Sequence, residues 1–238
     1  MRCRLCNGNE PLIEAHIIPE SFYQPLQVGK DLPRIYSAKK GEYPKRAPTG
    51  IYDKKILCGH CDNQIGVWDQ YAKEVLFTPF DEERYIRVNG ENALYELANV
   101  DYAKLKLFFI SLLWRASITT HDFFSSVNVG PWEAKLREMI TNSDPGTEDD
   151  FSVILSKFQN GLSNMLVNPM RKRFKNRITY YRLRMADYVA IIKVDKLPFP
   201  PELRRFVLKP DAPVLVRIRK HEKSKEIEAA VQIDELLN

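Results

Sequence analysis

At 238 residues, with 44% hydrophobic and 28% charged side chains, the chain suits one large domain or two small ones and carries enough apolar mass for a sizeable core. A net charge of +5 is a mild basic bias that admits an anionic partner without naming one. No run of eighteen apolar residues occurs, so no helical membrane span is expected, and Met1-Arg2-Cys3-Arg4 lacks the apolar stretch of a secretory signal.

The chain opens on Cys3-Arg4-Leu5-Cys6, and the turn Asn7-Gly8-Asn9 leads into Pro11 to Ile18, an apolar, partly β-branched strand that Pro19 ends. Alternation sets Glu14, His16 and Ile18 on one face, Ala15 and Ile17 on the other. Residues 21–50, broken by Pro25, Pro33, Pro44 and Pro48 and by Gly29, Gly41 and Gly50, read as an inserted loop or loose hairpin. Its second half is basic through Lys39, Lys40, Lys45 and Arg46, either a solvated connection or an arm that touches phosphates. A short strand from Ile51 to Leu57 then reaches Cys58-Gly59-His60-Cys61. From Asp62, Ile65, Trp68, Ala72, Val75 and Leu76 fall at helix spacing until Thr78-Pro79 stops them.

The remainder predicts an α+β domain of unassigned role over residues 80–238. Tyr85 to Val88 and Ala93 to Leu97 flank Asn89-Gly90, a hairpin signal. Asp101 through Ile118 is a helix so apolar that it belongs in the core. Pro131 to Ile140 is a shorter amphipathic helix, and Asn142 to Asp150 an acidic loop. Strands are expected at Phe151–Phe158, Ile178–Tyr188, Val189–Val194 and Val214–Ile218, with a last helix in the tail from Glu226. The run Arg171, Lys172, Arg173, Lys175 and Arg177, entering Tyr180-Tyr181-Arg182, offers cations for phosphates and rings for bases. Its plainer reading is a solvated turn leading into an edge strand guarded by charge.

All four cysteines fall in two C-x-x-C pairs, the spacing that turns two sulfurs toward one ion, and two such pairs complete a tetrahedral shell for structural zinc. Cys-Gly-His-Cys alone also looks like the redox motif of the disulfide isomerases, but that motif needs a thioredoxin-type βαβ context, whereas here a second pair stands ready as partner. Residues 1–79 are therefore expected to form a treble-clef finger held by Cys3, Cys6, Cys58 and Cys61, with 21–50 as an insert. Metal-held thiols fit a reducing compartment, hence the cytoplasm.

In this order, C-x-x-C, a strand ending in His-Ile-Ile-Pro, a strand reaching Leu-Cys, C-x-x-C and a helix, residues 3–77 resemble the zinc-containing HNH, or His-Me finger, nucleases. The resemblance implies a DNA endonuclease with His16 as the general base and a catalytic Mg2+ or Mn2+ on the scissile phosphate, the zinc serving structure alone. It places Asp53 where the family has its Asn, and Asp62 where some members supply a metal ligand; Glu14, on the face of His16, is a further oxygen donor. Two positions depart from the pattern: Ala15 stands where a metal-binding residue usually precedes the base, and Gly66 near the family's closing histidine. The same residues also have structural readings, His16 bonded to the insert, Asp62 as a helix cap, Asp53 in a turn. The alternatives to a nuclease are a non-catalytic zinc module that binds nucleic acid and a protein-interaction scaffold stapled by zinc. DNA is the expected partner and no membrane is involved; the family context adds a second copy or a defence-system component as further partners to test.

Overall fold

The computed structural model of the chain describes residues 1–26, 32–36, 43, 45–159, 165–174 and 177–220. Lys39, Lys40, Lys175, His221 and the helix expected from Glu226 lie outside them. The N-terminal part contains β1 (Ala15–His16), β2 (Arg34–Tyr36), β3 (Lys45–Arg46), β4 (Tyr52–Asp53) and α1 (Gly59–Phe77). Of the strand expected over Pro11 to Ile18 only β1 pairs continuously, antiparallel to β4, with Ala15 opposite Asp53 and His16 opposite Tyr52. Leu12 adds a lone bridge to Cys58. Prolines 11 and 19 carry no N–H and limit the ladder from both sides. The strand expected from Ile51 to Leu57 is shortened too, because the Asp53 carboxylate accepts the Lys55 amide at 2.8 Å and turns the chain. Helix α1 starts at Gly59 rather than Asp62, with Cys58 in the cap position, so the second cysteine pair is wound into its first turn.

The rest follows as β5 (Tyr85–Val88), β6 (Glu91–Leu97), α2 (Tyr102–Ile118), α3 (Glu133–Thr141), β7 (Val153–Phe158), β8 (Met165–Val167), β9 (Met170–Arg173), β10 (Thr179–Met185), β11 (Tyr188–Lys193), α4 (Pro201–Arg204) and β12 (Val214–Arg219). The β5–β6 hairpin turns at Asn89-Gly90, whose φ values of 53° and 78° are those a two-residue turn of this hand requires. Asp101 caps α2 by accepting the Lys104 amide at 3.0 Å. Strands β5, β6, β12, β7, β11, β10 and β9 form one sheet in that order, antiparallel except where β12 meets β7. A small sheet orders β3, β2 and β8, so the insert pairs with a strand far along the chain. β8 then passes through Asn168-Pro169 into edge strand β9.

Helix α2 packs against α1, α3 and β11. Its residues from Leu105 to Ala116 are buried without interruption. One buried cluster extends from Cys3 and Leu5 through α1 and α2 to Tyr188, Val214 and Val216, so the interior is continuous across residue 79. Tyr188 seals that junction by donating its hydroxyl to the Leu76 carbonyl at 2.6 Å. The fold is a mixed α+β arrangement with the cysteines at one end. No helix among the described residues is long and apolar enough to cross a membrane.

Candidate functional site

The Sγ atoms of Cys3, Cys6, Cys58 and Cys61 lie within 4.8 Å of one another, those of Cys6 and Cys58 3.9 Å apart, with no disulfide among them. Zn–S bonds of about 2.3 Å give a tetrahedron with edges of about 3.8 Å, so this spacing fits a structural metal such as zinc. The knuckles are built for charged sulfur. Gly8 N–H points at Cys6 Sγ (3.3 Å) and Cys58 N–H at Cys3 Sγ (3.4 Å). Asn7 takes a positive φ of 60°, and a Cβ on Gly8 would stand 3.2 Å from Cys6 Sγ. Burial raises the Cys3 pKa, yet backbone N–H groups of Cys6, Cys58 and Leu5 bring it down to about 7. Burial and the neighbouring sulfurs push Cys61 far up. A divalent cation at the centre removes that crowding penalty.

His16 sits half-buried on β1, against the loop that ends the insert. Its Nε2 lies 2.9 Å from the Thr49 carbonyl oxygen. A carbonyl only accepts, so the proton resides on Nε2 and Nδ1 carries the free lone pair. The loop is fixed by a close approach. Gly50 has φ +85°, and a Cβ there would fall 2.4 Å from the Tyr23 ring. The Tyr23 hydroxyl accepts the Ile51 amide at 3.1 Å, and Ile17 N–H reaches Ile51 O at 3.0 Å.

Arg115, from the last turns of α2, holds the other side of β1. It donates to the His16 carbonyl oxygen at 2.9 Å and grips Asp69 of α1 bidentately, at 2.9 and 2.7 Å. Asp62, Gly66 and Asp69 share one face of α1 by their spacing of four and three. Burial lifts the Asp62 pKa; Arg115 opposes this, Asp69 adds to it and His16 opposes it, so the four groups feel one another. The Asp62 carboxylate has no hydrogen bond or ion pair among the described residues, while its backbone N–H donates to the Cys58 carbonyl at 3.0 Å. A Cβ on Gly66 would meet nothing within 4 Å.

The other candidate ligands are engaged elsewhere. Glu14 pairs with Lys54 at 2.5 Å on the surface. Asp53 is buried and serves the join to α2: it accepts the Thr119 hydroxyl at 2.7 Å, the Lys55 amide and the Thr120 amide at 3.3 Å. Burial raises its pKa, but these donors outweigh it and hold the carboxyl below its ordinary value. Ala15 is fully buried. Among the described residues only the four cysteines form a group of three or more such ligands within reach of one ion, so Glu14, His16, Asp53 and Asp62 do not converge as one shell.

Of the basic residues, Lys45 and Arg46 are exposed on β3 beside the Thr49 loop, while Arg171, Lys172 and Arg173 are exposed along edge strand β9, with Arg177 exposed beyond it. Tyr181 is sealed inside, its hydroxyl bonded to Asn128, so its ring is no stacking platform, and half-buried Tyr180 has one face stacked on Phe174 at 4.3 Å. The residue that sequence reasoning missed is Arg115. A single cation closing the apolar run Leu112-Leu113-Trp114 was the available signal, since a buried guanidinium demands a partner.

No family model matches the chain, and neither curated proteins nor solved structures give a significant match.

Proposed function

We propose that the N-terminal unit is a zinc-bound treble-clef finger of HNH type and that the chain is a metal-dependent DNA endonuclease with His16 as general base. The observation that carries this reading is the bond from His16 Nε2 to the Thr49 carbonyl. It fixes the tautomer, leaves Nδ1 free to accept a proton, and strengthens once the ring becomes an imidazolium. A water proton passes to Nδ1, the water oxygen bonds to phosphorus, and the bond from phosphorus to the leaving sugar oxygen breaks, solvent supplying that oxygen's proton. A divalent cation, when bound, neutralises charge on the phosphate and the leaving oxygen. Asp62 is the residue to hold it, being unpaired and coupled to His16. Mg2+ commonly takes only one or two carboxylates beside water and phosphate oxygens, so one suffices.

A second reading has its own support. Ala15 and Gly66 bring no ligands, and Glu14, Asp53 and Asp69 are occupied. This favours a zinc module that binds nucleic acid without cutting it. Incubation with plasmid and with a circular single-stranded DNA, in Mg2+ or Mn2+, separates the two. The nuclease reading expects nicking that His16→Ala abolishes and that Asp62→Asn shifts to higher metal concentration. Binding without nicking by the wild type supports the second reading and refutes the first.

A further inference from the structure

The loop that orients His16 also forms one wall of a cleft of about 680 Å³, lined among others by Lys45, Arg46, Thr49, Tyr52, His121 and Asn168. Deepening the nuclease reading, on which it rests for the reaction but not for the binding, we infer that this cleft seats one unpaired nucleotide of a single-stranded DNA, next to the phosphate that faces His16.

The cleft has the size of a small-molecule site, about 300–1,000 Å³, enough for one nucleotide. Its cations are available among the described residues: neither Lys45 nor Arg46 has a carboxylate partner there, and Asp122 is the one acid among the described lining residues. The Phe123 amide donates to Nδ1 of His121 at 3.2 Å, which assigns the ring proton to Nε2 and makes His121 a further donor for a phosphate or base edge. The Tyr52 ring, 38% exposed, lines the cleft and meets the His16 ring edge-on, centroids 6.0 Å apart. A base laid on Tyr52 therefore stands one ring away from the proposed general base, on a wall it shares with Lys45 and Arg46. A duplex keeps its base faces stacked inside the helix and must unstack to use such a concavity; a single strand offers them freely. Edge strand β9 begins just past Asn168, so Arg171 to Arg173 follow directly along the chain from the cleft wall.

The test is fluorescence anisotropy in magnesium-free buffer with a labelled oligothymidylate and with a mixed-sequence duplex, using the full chain with its metal content verified for each variant. Expected are single-strand binding about tenfold tighter than duplex binding, loss of about tenfold in Tyr52→Leu, a comparable loss in Lys45→Ala/Arg46→Ala with a shallower salt dependence, and competition by thymidine monophosphate. His16→Ala should keep the single-strand preference while losing cleavage. Equal affinity for both forms, or unchanged binding in the Tyr52 and Lys45/Arg46 variants, overturns the cleft assignment even if the wild type cuts plasmid. Dependence of binding on these residues without any cutting leaves the cleft standing and removes the endonuclease.

Discussion

Arg115 ties the body of the protein to β1, and it can be removed without touching a metal ligand or the imidazole. Its side chain is 1% exposed and that of Asp69 16%. Breaking one partner of a buried pair costs about 3–5 kcal/mol, because the survivor is left charged and unpaired. Arg115→Met also orphans the His16 carbonyl, adding about 1 kcal/mol. Against a total stability of about 5–15 kcal/mol, that is a large fraction, and at about 2–4 °C per kcal/mol it lowers Tm by about 10–20 °C. Asp69→Leu alone should cost a similar amount. The double variant leaves no unpaired charge at this site and should cost only about 2–3 kcal/mol, far below the sum of the singles, giving a coupling energy of about 5 kcal/mol or more. Urea unfolding of the metal-loaded protein, followed by tryptophan fluorescence, measures all three. Single losses below about 1 kcal/mol, or strict additivity, would refute the idea that this pair is a buried clamp.

Cys58→Ser should abolish stoichiometric zinc binding and the cooperative unfolding of the N-terminal unit, read by metal analysis and circular dichroism; chelation should do the same, since structural zinc contributes on the order of 10 kcal/mol in small fingers. Lys106, in α2, is buried with no hydrogen-bond partner for its ammonium among the described residues, and burial brings its pKa down to about 7. The unfolded chain then binds the extra proton between pH 7 and the ordinary lysine range, so stability rises with pH above 7; Lys106→Met should flatten that slope up to about pH 9.5, below the tyrosine range, and raise stability at neutral pH, as urea midpoints will show. Gly50→Ala meets both a positive φ and the Tyr23 ring, and should cost about 2–4 kcal/mol in urea while loosening His16, seen as a fall in any nicking rate. Gly66→His adds a second ligand one turn from Asp62 into open space, and should tighten Mn2+ binding in calorimetry; unchanged affinity would place the Asp62 carboxylate out of reach.

What was legible in the sequence followed from local chemistry. The two cysteine pairs, the Asn89-Gly90 hairpin, the buried helix α2 and strands β7 and β12 each declare themselves through residues close together in the chain. The short ladders did not. β8 and β9 are three and four residues long, too brief for periodicity to register, and β8 exists because it pairs with the insert. Asp53 and Asp62 could each be read as caps, turns or ligands. Only contacts to Thr119 and to the Arg115 neighbourhood tell them apart, and those partners lie more than fifty residues away.

The orientation of His16 shows why the cysteine cluster would not suffice by itself. Its ring is held by a carbonyl at the end of the insert, its strand by Ile51 and its backbone carbonyl by a guanidinium from α2. The cysteines fix none of these directly; they anchor the knuckles and the start of α1. Helix α1 then carries Ile65, Trp68, Ala72 and Leu76 into the shared core, and α2 returns Arg115 to the strand that bears the histidine. Residue 79 therefore divides the elements along the chain but not the interior, and a fragment ending there would bare the apolar stripe of α1 and leave Asp69 without its partner. The placement of His16 depends on the α+β body as much as on the sulfurs, which gives that body a mechanical role whatever it binds.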